Sequence, residues 1–144
     1  MKRRSLITAG LITLAGISVA RVEPDLLPLD QAFEMALGSI GDSTIEVKFR
    51  SANGYYLYAD RFVFESDTSA ITVVGVAIPP GQTKYEEAFG RDVTYFRGDV
   101  SVSVRVQGPA IPFKLVVRAQ GCADAVGMCY SPVVRTFDVS RRNS

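Results

Sequence analysis

Two cysteines are the most reactive side chains in this sequence. Cys122 and Cys129 lie in the segment Gln120-Gly121-Cys122-Ala123-Asp124-Ala125-Val126-Gly127-Met128-Cys129-Tyr130. Strand-like residues flank it on both sides, and a hairpin there would bring the sulfurs within bridging distance. Two cysteines in a secreted chain normally pair. Such a pair has two readings. As a staple, so short a ring stabilises a fold by about 2 to 3 kcal/mol of loop entropy. As a redox pair, a bridge at an accessible hairpin tip is open to attack by another thiolate. A sandwich staple usually joins segments far apart in sequence, where closure gains more, so both readings stand. The chain has no His. That excludes Ser-His-Asp and Cys-His nucleophile systems and His-containing zinc sites. Nothing like a Cys-x-x-Cys motif is present to depress a thiol pKa. Asp124 would raise it, as would Glu86 and Glu87 if their loop folds nearby. A thiol so placed stays quiet until a partner docks.

The rest of the chain must position that pair. Its 144 residues are 47% hydrophobic and 22% charged, with a net charge of +1. This is enough for one globular domain with a real core. It offers no basic excess for a phosphate backbone, so nucleic acid is not an expected partner. The first twenty residues read as a signal peptide rather than as fold. Lys2, Arg3 and Arg4 precede an apolar stretch over residues 6–20 that ends Ser18-Val19-Ala20, a small-x-small cleavage pattern. Cleavage would leave a mature domain of residues 21–144 with a charge of −2. No other window approaches the roughly 18 to 20 apolar residues of a membrane span. The mature product is expected to be exported and monomeric, without stable membrane insertion, in a compartment that permits disulfides.

The mature segment reads as β. Ile45, Val47 and Phe49 alternate with Glu46, Lys48 and Arg50, and Val100, Val102, Val104 and Val106 alternate with polar residues. Residues 55–64 are aromatic and strand-like, with Tyr56 and Tyr58 on one face, which in such strands is most often core. Residues 71–78, 93–96, 113–119 and 133–139 complete about seven strands punctuated by Gly and Pro. Residues 30–37 fit either a short helical turn or an edge strand. Residues 82–91 read as a loop. The pattern predicts an all-β antiparallel sandwich.

Five stretches are similar to one known family. They are Asp30-Gln31-Ala32-Phe33, Gly54-Tyr55-Tyr56-Leu57-Tyr58, Pro80-Gly81, Glu86-Glu87-Ala88-Phe89-Gly90, and Gln120-Gly121-Cys122-Ala123-Asp124 with Cys129-Tyr130 and Pro132. In this order and spacing, across nearly the whole mature chain, they resemble the N-terminal periplasmic domain of DsbD-type thiol:disulfide interchange proteins. The resemblance implies an immunoglobulin-like antiparallel β-sandwich whose cysteines form a catalytic disulfide. Cys129 would form mixed disulfides with partners, and Cys122 would resolve them. Tyr56 and Tyr58 would stand beside the pair, with Asp124 and Tyr130 around it. Glu86, Glu87 and Phe89 would belong to a shielding cap. No cofactor or metal is implied.

The implied activity is protein-disulfide reduction in the periplasm. Electrons would come from a membrane thiol reductase, expected here as a separate protein, and pass to thioredoxin-fold partners of disulfide isomerisation or cytochrome c maturation. The sequence departs from the family pattern in two places. Six residues rather than five separate the cysteines, and Ala88 takes the place of the shielding aromatic, which leaves Phe89 for that task. The competing expectation is a non-enzymatic exported binding sandwich with a structural disulfide. A third is a degenerate relative that binds thioredoxin-like partners without turning over.

Overall fold

Alternating β-branched residues define the architecture. The structure is a computed structural model that describes residues 25–141, so the expected signal segment lies outside the described residues. A single helical turn, Leu29–Ala32, runs directly into β1 (Phe33–Ile40), so residues 30–37 hold both of the alternatives they suggest. The strands that follow are β2 (Thr44–Ser51), β3 (Tyr55–Tyr58), β4 (Val63–Ser66), β5 (Thr72–Ala77), β6 (Gln82–Glu86) and β7 (Arg91–Phe96). Then come β8 (Asp99–Gln107), β9 (Phe113–Ala119), β10 (Gly121–Ala123), β11 (Met128–Cys129) and β12 (Val133–Val139).

Every pairing is antiparallel. One layer is the sheet β1-β2-β8-β5. The facing layer has two parts, β11-β10-β3-β7-β6 and β12-β9-β4. The parts are joined because two of their strands are each broken once. β3 and β4 are halves of one path interrupted by the 3-10 turn Ala59–Arg61, and β9 and β10 meet at Gln120. The architecture is an immunoglobulin-like β-sandwich. Ile45, Val47 and Phe49 of β2 face Val104, Val102 and Val100 of β8 across their shared register, and all are at most 6% exposed. They meet Leu115 and Val117 of β9, both fully buried, and Leu57 of β3, in one cluster. Burying side chains of this size contributes about 1.5 to 3 kcal/mol each.

Two sequence expectations need correction. Residues 82–91 are not a loop but a hairpin, in which β6 and β7 pair from Gln82↔Tyr95 to Glu86↔Arg91. Its alternation is of polar and aromatic residues, so no apolar period marks it. Residues 55–64 are not one strand, because the turn at Ala59–Arg61 divides them between two sheets. Among the described residues, no helix is long and apolar enough to cross a membrane.

Arg141 is 9% exposed and ties two turns together. It donates to the carbonyls of Asp42 at 2.8 Å, Gly108 at 3.1 Å and Pro109 at 2.5 Å.

Candidate active site

The site is built on the outer face of the five-stranded sheet. β3 is buried on both sides. Tyr55 and Leu57 point into the sandwich core, while Tyr56 and Tyr58 form a second, smaller cluster with Val93 and Cys122. β10 reaches this face because Gly121 lets it lie against β3. A β-carbon at Gly121 would stand 2.1 Å from the Tyr56 carbonyl oxygen and 2.6 Å from the Phe33 ring.

Cys122 and Cys129 face each other across β10 and β11 and are joined by a disulfide with Cα atoms 3.9 Å apart. The Tyr130 amide donates to the Gly121 carbonyl at 3.0 Å. That bond makes the neighbouring pair the hydrogen-bonded one. The cysteines therefore occupy the close, non-hydrogen-bonded position of the ladder. The bridge is asymmetric: Cys122 is fully buried, whereas Cys129 is exposed on the edge strand. Between them the chain turns through Asp124–Val126 and closes at Gly127, whose φ of 59° favours glycine.

Tyr58 is the hub. Its hydroxyl oxygen lies 3.4 Å from Cys122 Sγ, 3.9 Å from Cys129 Sγ and 3.4 Å from the Tyr56 hydroxyl. It donates to Glu86 Oε2 at 3.1 Å. A phenol has one proton to give. While it goes to Glu86, Tyr58 presents only lone pairs to the sulfurs. Lys84 pairs with Glu86 at 3.2 Å, and its ammonium stands 3.9 Å over the Tyr56 ring and 5.3 Å from the Tyr95 ring. Burial lowers the Lys84 pKa, but its contacts with Tyr56 and Glu86 outweigh that and leave it raised. Arg97 also reaches the Tyr56 and Tyr95 rings, at 5.3 Å each, and forms an ion pair with Asp124 that holds the cysteine turn.

Burial, then Tyr56, then Glu86 push the Tyr58 phenol far above the usual tyrosine range. Burial and Tyr55 raise Tyr130 as well. A raised phenol pKa stabilises the fold only while the unfolded tyrosine keeps its proton. Above about pH 10 the unfolded chain loses the Tyr58 proton and the folded chain does not, so stability falls by up to about 1.4 kcal/mol per pH unit from this group. Urea midpoints measured between pH 9 and pH 11, as about two units of span, should therefore drop, and Tyr58→Phe should make the drop shallower. An equally steep drop in Tyr58→Phe would remove Tyr58 as the cause.

The structure brings most of the sequence-selected residues together. Phe89 sits in the turn at residues 87–90 and packs edge-on against Tyr58, with ring centroids 5.7 Å apart. Glu87 is exposed in the same turn. Tyr130 lies on the other side of the sheet. Its ring packs on Phe33 at 5.5 Å and Tyr55 at 6.0 Å, and its hydroxyl donates to the Leu27 carbonyl at 2.7 Å. Tyr130 therefore anchors the base of the cysteine hairpin to the core rather than touching the sulfurs. Sequence reading missed Lys84, Tyr95 and Arg97. The registers Tyr58↔Tyr95 and Lys84↔Val93 bring Tyr95 and Lys84 to the site, Arg97 follows the end of β7, and no local motif signals this placement.

An immunoglobulin-like sandwich with a cross-strand disulfide, exposed at one cysteine and set beside a tyrosine pair, defines a domain built for sulfur chemistry at its edge. The chain matches the family described as thiol:disulfide interchange protein DsbD, N-terminal, over residues 23–141, and it belongs to that family. It is 37% identical over 139 residues to the thiol:disulfide interchange protein DsbD of Ralstonia nicotianae, covering 94% of this chain and 23% of that protein. It is 34% identical over 140 residues to the DsbD of Neisseria meningitidis serogroup A, covering 97% of this chain and again 23% of the relative. The chain thus spans about a quarter of the length of these relatives.

Among solved structures, the Neisseria meningitidis DsbD N-terminal domain in the reduced form superposes with a TM-score of 0.70. It is 36% identical and covers 81% of this chain and 90% of that one. A complex of the DsbD N-terminal and PilB N-terminal domains of the same organism gives a TM-score of 0.66 at 34% identity, covering 79% of this chain and 87% of that one.

Proposed function

We propose that this domain is a periplasmic protein-disulfide reductase that relays two electrons through Cys122 and Cys129. In the first half, a donor thiolate attacks the bridge. A mixed disulfide forms, and the second donor thiol displaces the domain, leaving both cysteines reduced and the donor oxidised. In the second half, the Cys129 thiolate attacks an oxidised partner and expels one partner thiolate. Cys122 then attacks Cys129, releases the reduced partner and restores the Cys122–Cys129 bridge. The donor is read as a membrane thiol reductase and the acceptors as thioredoxin-fold proteins. The observation that carries the reading is the asymmetry of the bridge. An exposed Cys129 can meet another protein, and a buried Cys122 can only resolve what Cys129 has begun. Complex formation by a relative's N-terminal domain with a second protein domain supports a role exercised by docking.

Glu86 explains why such a dithiol stays quiet when alone. Its carboxylate accepts the hydrogen bond of the Tyr58 hydroxyl, so a thiolate beside Tyr58 finds that donor already engaged. Docking that displaces Glu86 would free that proton for the sulfur. Phe89 on Tyr58 covers the group until then.

The test is to trap adducts on Cys122→Ala in periplasmic extract and to titrate the wild-type bridge against glutathione. Mixed disulfides through Cys129 with thioredoxin-fold proteins are expected, with a reduction potential above about −300 mV. A lower potential with no adduct would instead make the bridge a structural staple.

A further inference from the structure

The turn that carries Phe89 is held from outside by three charged residues. Phe89 is 39% exposed, yet its ring stays on Tyr58. The turn's own backbone offers only short-range bonds, with Phe89 and Gly90 donating to the Glu86 carbonyl at 3.1 Å and 2.9 Å. The guanidinium of Arg61 stands 5.5 Å from the Phe89 ring centroid, and that of Arg91 stands 5.7 Å from it. Two cations sharing one ring would repel each other. Asp60 removes that conflict: Arg91 donates to its carboxylate at 2.5 Å, and Arg61 Nε lies 3.9 Å away. The placement in the chain matters. Asp60 and Arg61 belong to the 3-10 turn that follows Tyr58, and Arg91 opens β7 directly after the Phe89 turn. These three residues therefore tie the turn to the strand end that carries the Tyr58 hub.

We infer that Asp60, Arg61 and Arg91 form an ionic clamp that keeps Phe89 over Tyr58 and sets how often the disulfide opens to an attacking thiol. They are positioning residues: they reach the sulfurs only through Phe89 and Tyr58. The inference rests on the reading of Phe89 as a cover. Because the clamp is built from exposed charges, salt weakens it. A docking protein that offers a carboxylate to Arg61 or Arg91 would compete with Asp60 and release the turn at the moment of contact.

The experiment follows reduction of the oxidised domain by dithiothreitol from about 20 mM to about 500 mM salt. Arg61→Gln and Arg91→Gln should each speed reduction about two- to fivefold at low salt, the factor expected for losing one exposed cation–π contact. The double variant should be faster still and should lose the wild-type acceleration with salt. Simple electrostatics predicts the opposite sign, because removing positive charge attracts an anionic thiolate less. Phe89→Ala should be fast at every salt concentration. Wild-type rates in both arginine variants beside a fast Phe89→Ala would overturn the clamp and leave the cover standing. A wild-type rate in Phe89→Ala would overturn the cover, and the clamp with it. Urea midpoints for each variant separate a local release from general destabilisation.

Discussion

Cys129→Ser is expected to abolish disulfide exchange completely while leaving a folded sandwich. On the proposed reading the chemistry depends on the one sulfur of the pair that is exposed, and a serine there would be a far weaker nucleophile. The stability cost should be modest. The bridge closes a ring between residues only seven apart, for which loop entropy gives about 2.5 kcal/mol. The main core cluster lies on the other face of β3 and does not include either cysteine. Cys122→Ser should behave differently. It keeps the attacking sulfur, so it should accept a partner once and stall as a mixed disulfide. The measurements are turnover of an oxidised thioredoxin-fold protein and urea unfolding of each variant. If Cys129→Ser fails to fold, or costs far more than the loop-entropy figure, the pair is a staple and the exchange reading fails.

Gly121→Ala should be the most damaging small substitution in the site. The added methyl would overlap a backbone carbonyl of β3 and the ring of Phe33, and neither can move freely. Overpacking at such a point costs about 3 kcal/mol or somewhat more, equivalent to a fall of about 10 °C in Tm. Relief can come only by lifting β10 off β3. That would carry Cys122 away from Tyr56, its register partner, and from the Tyr58 hydroxyl. Reactivity should therefore change together with stability, with faster reduction by small thiols in the variant that remains folded. Calorimetry and dithiothreitol kinetics on the same sample check both. An unchanged Tm would mean that β10 has slack that the packing does not reveal.

The legible parts of this fold are those in which burial imposes a period. β2 and β8 alternate because one face meets the core and the other meets water, so Ile45 and Val102 reveal their strands. β9 and β12 follow the same logic. Of the β6–β7 hairpin only residues 93–96 were legible; β6 was not, because its site-facing positions carry Gln82, Lys84 and Glu86 rather than aliphatic residues. Nor was the break at Ala59–Arg61. It has no Gly or Pro, and it arises where one strand passes from one sheet to the other. At the site, the cysteines, Tyr56, Tyr58, Glu86 and Phe89 were readable from local runs. Their cationic surroundings were not, because Lys84, Arg91 and Arg97 reach the site through pairings across strands that a linear reading does not contain.

The four residues of β3 have a consequence for anyone who would move this site to another scaffold. Tyr55 and Leu57 belong to the core, and Tyr56 and Tyr58 belong to the sulfurs, so one stretch of backbone is read on both faces. A slip of one residue would send two phenols inward and leave the disulfide facing a leucine. No loop swap can transplant the chemistry, since its floor is also the wall of the core. The portable unit is the whole five-stranded sheet, and drift in the core is constrained by the site as firmly as the site is by the core.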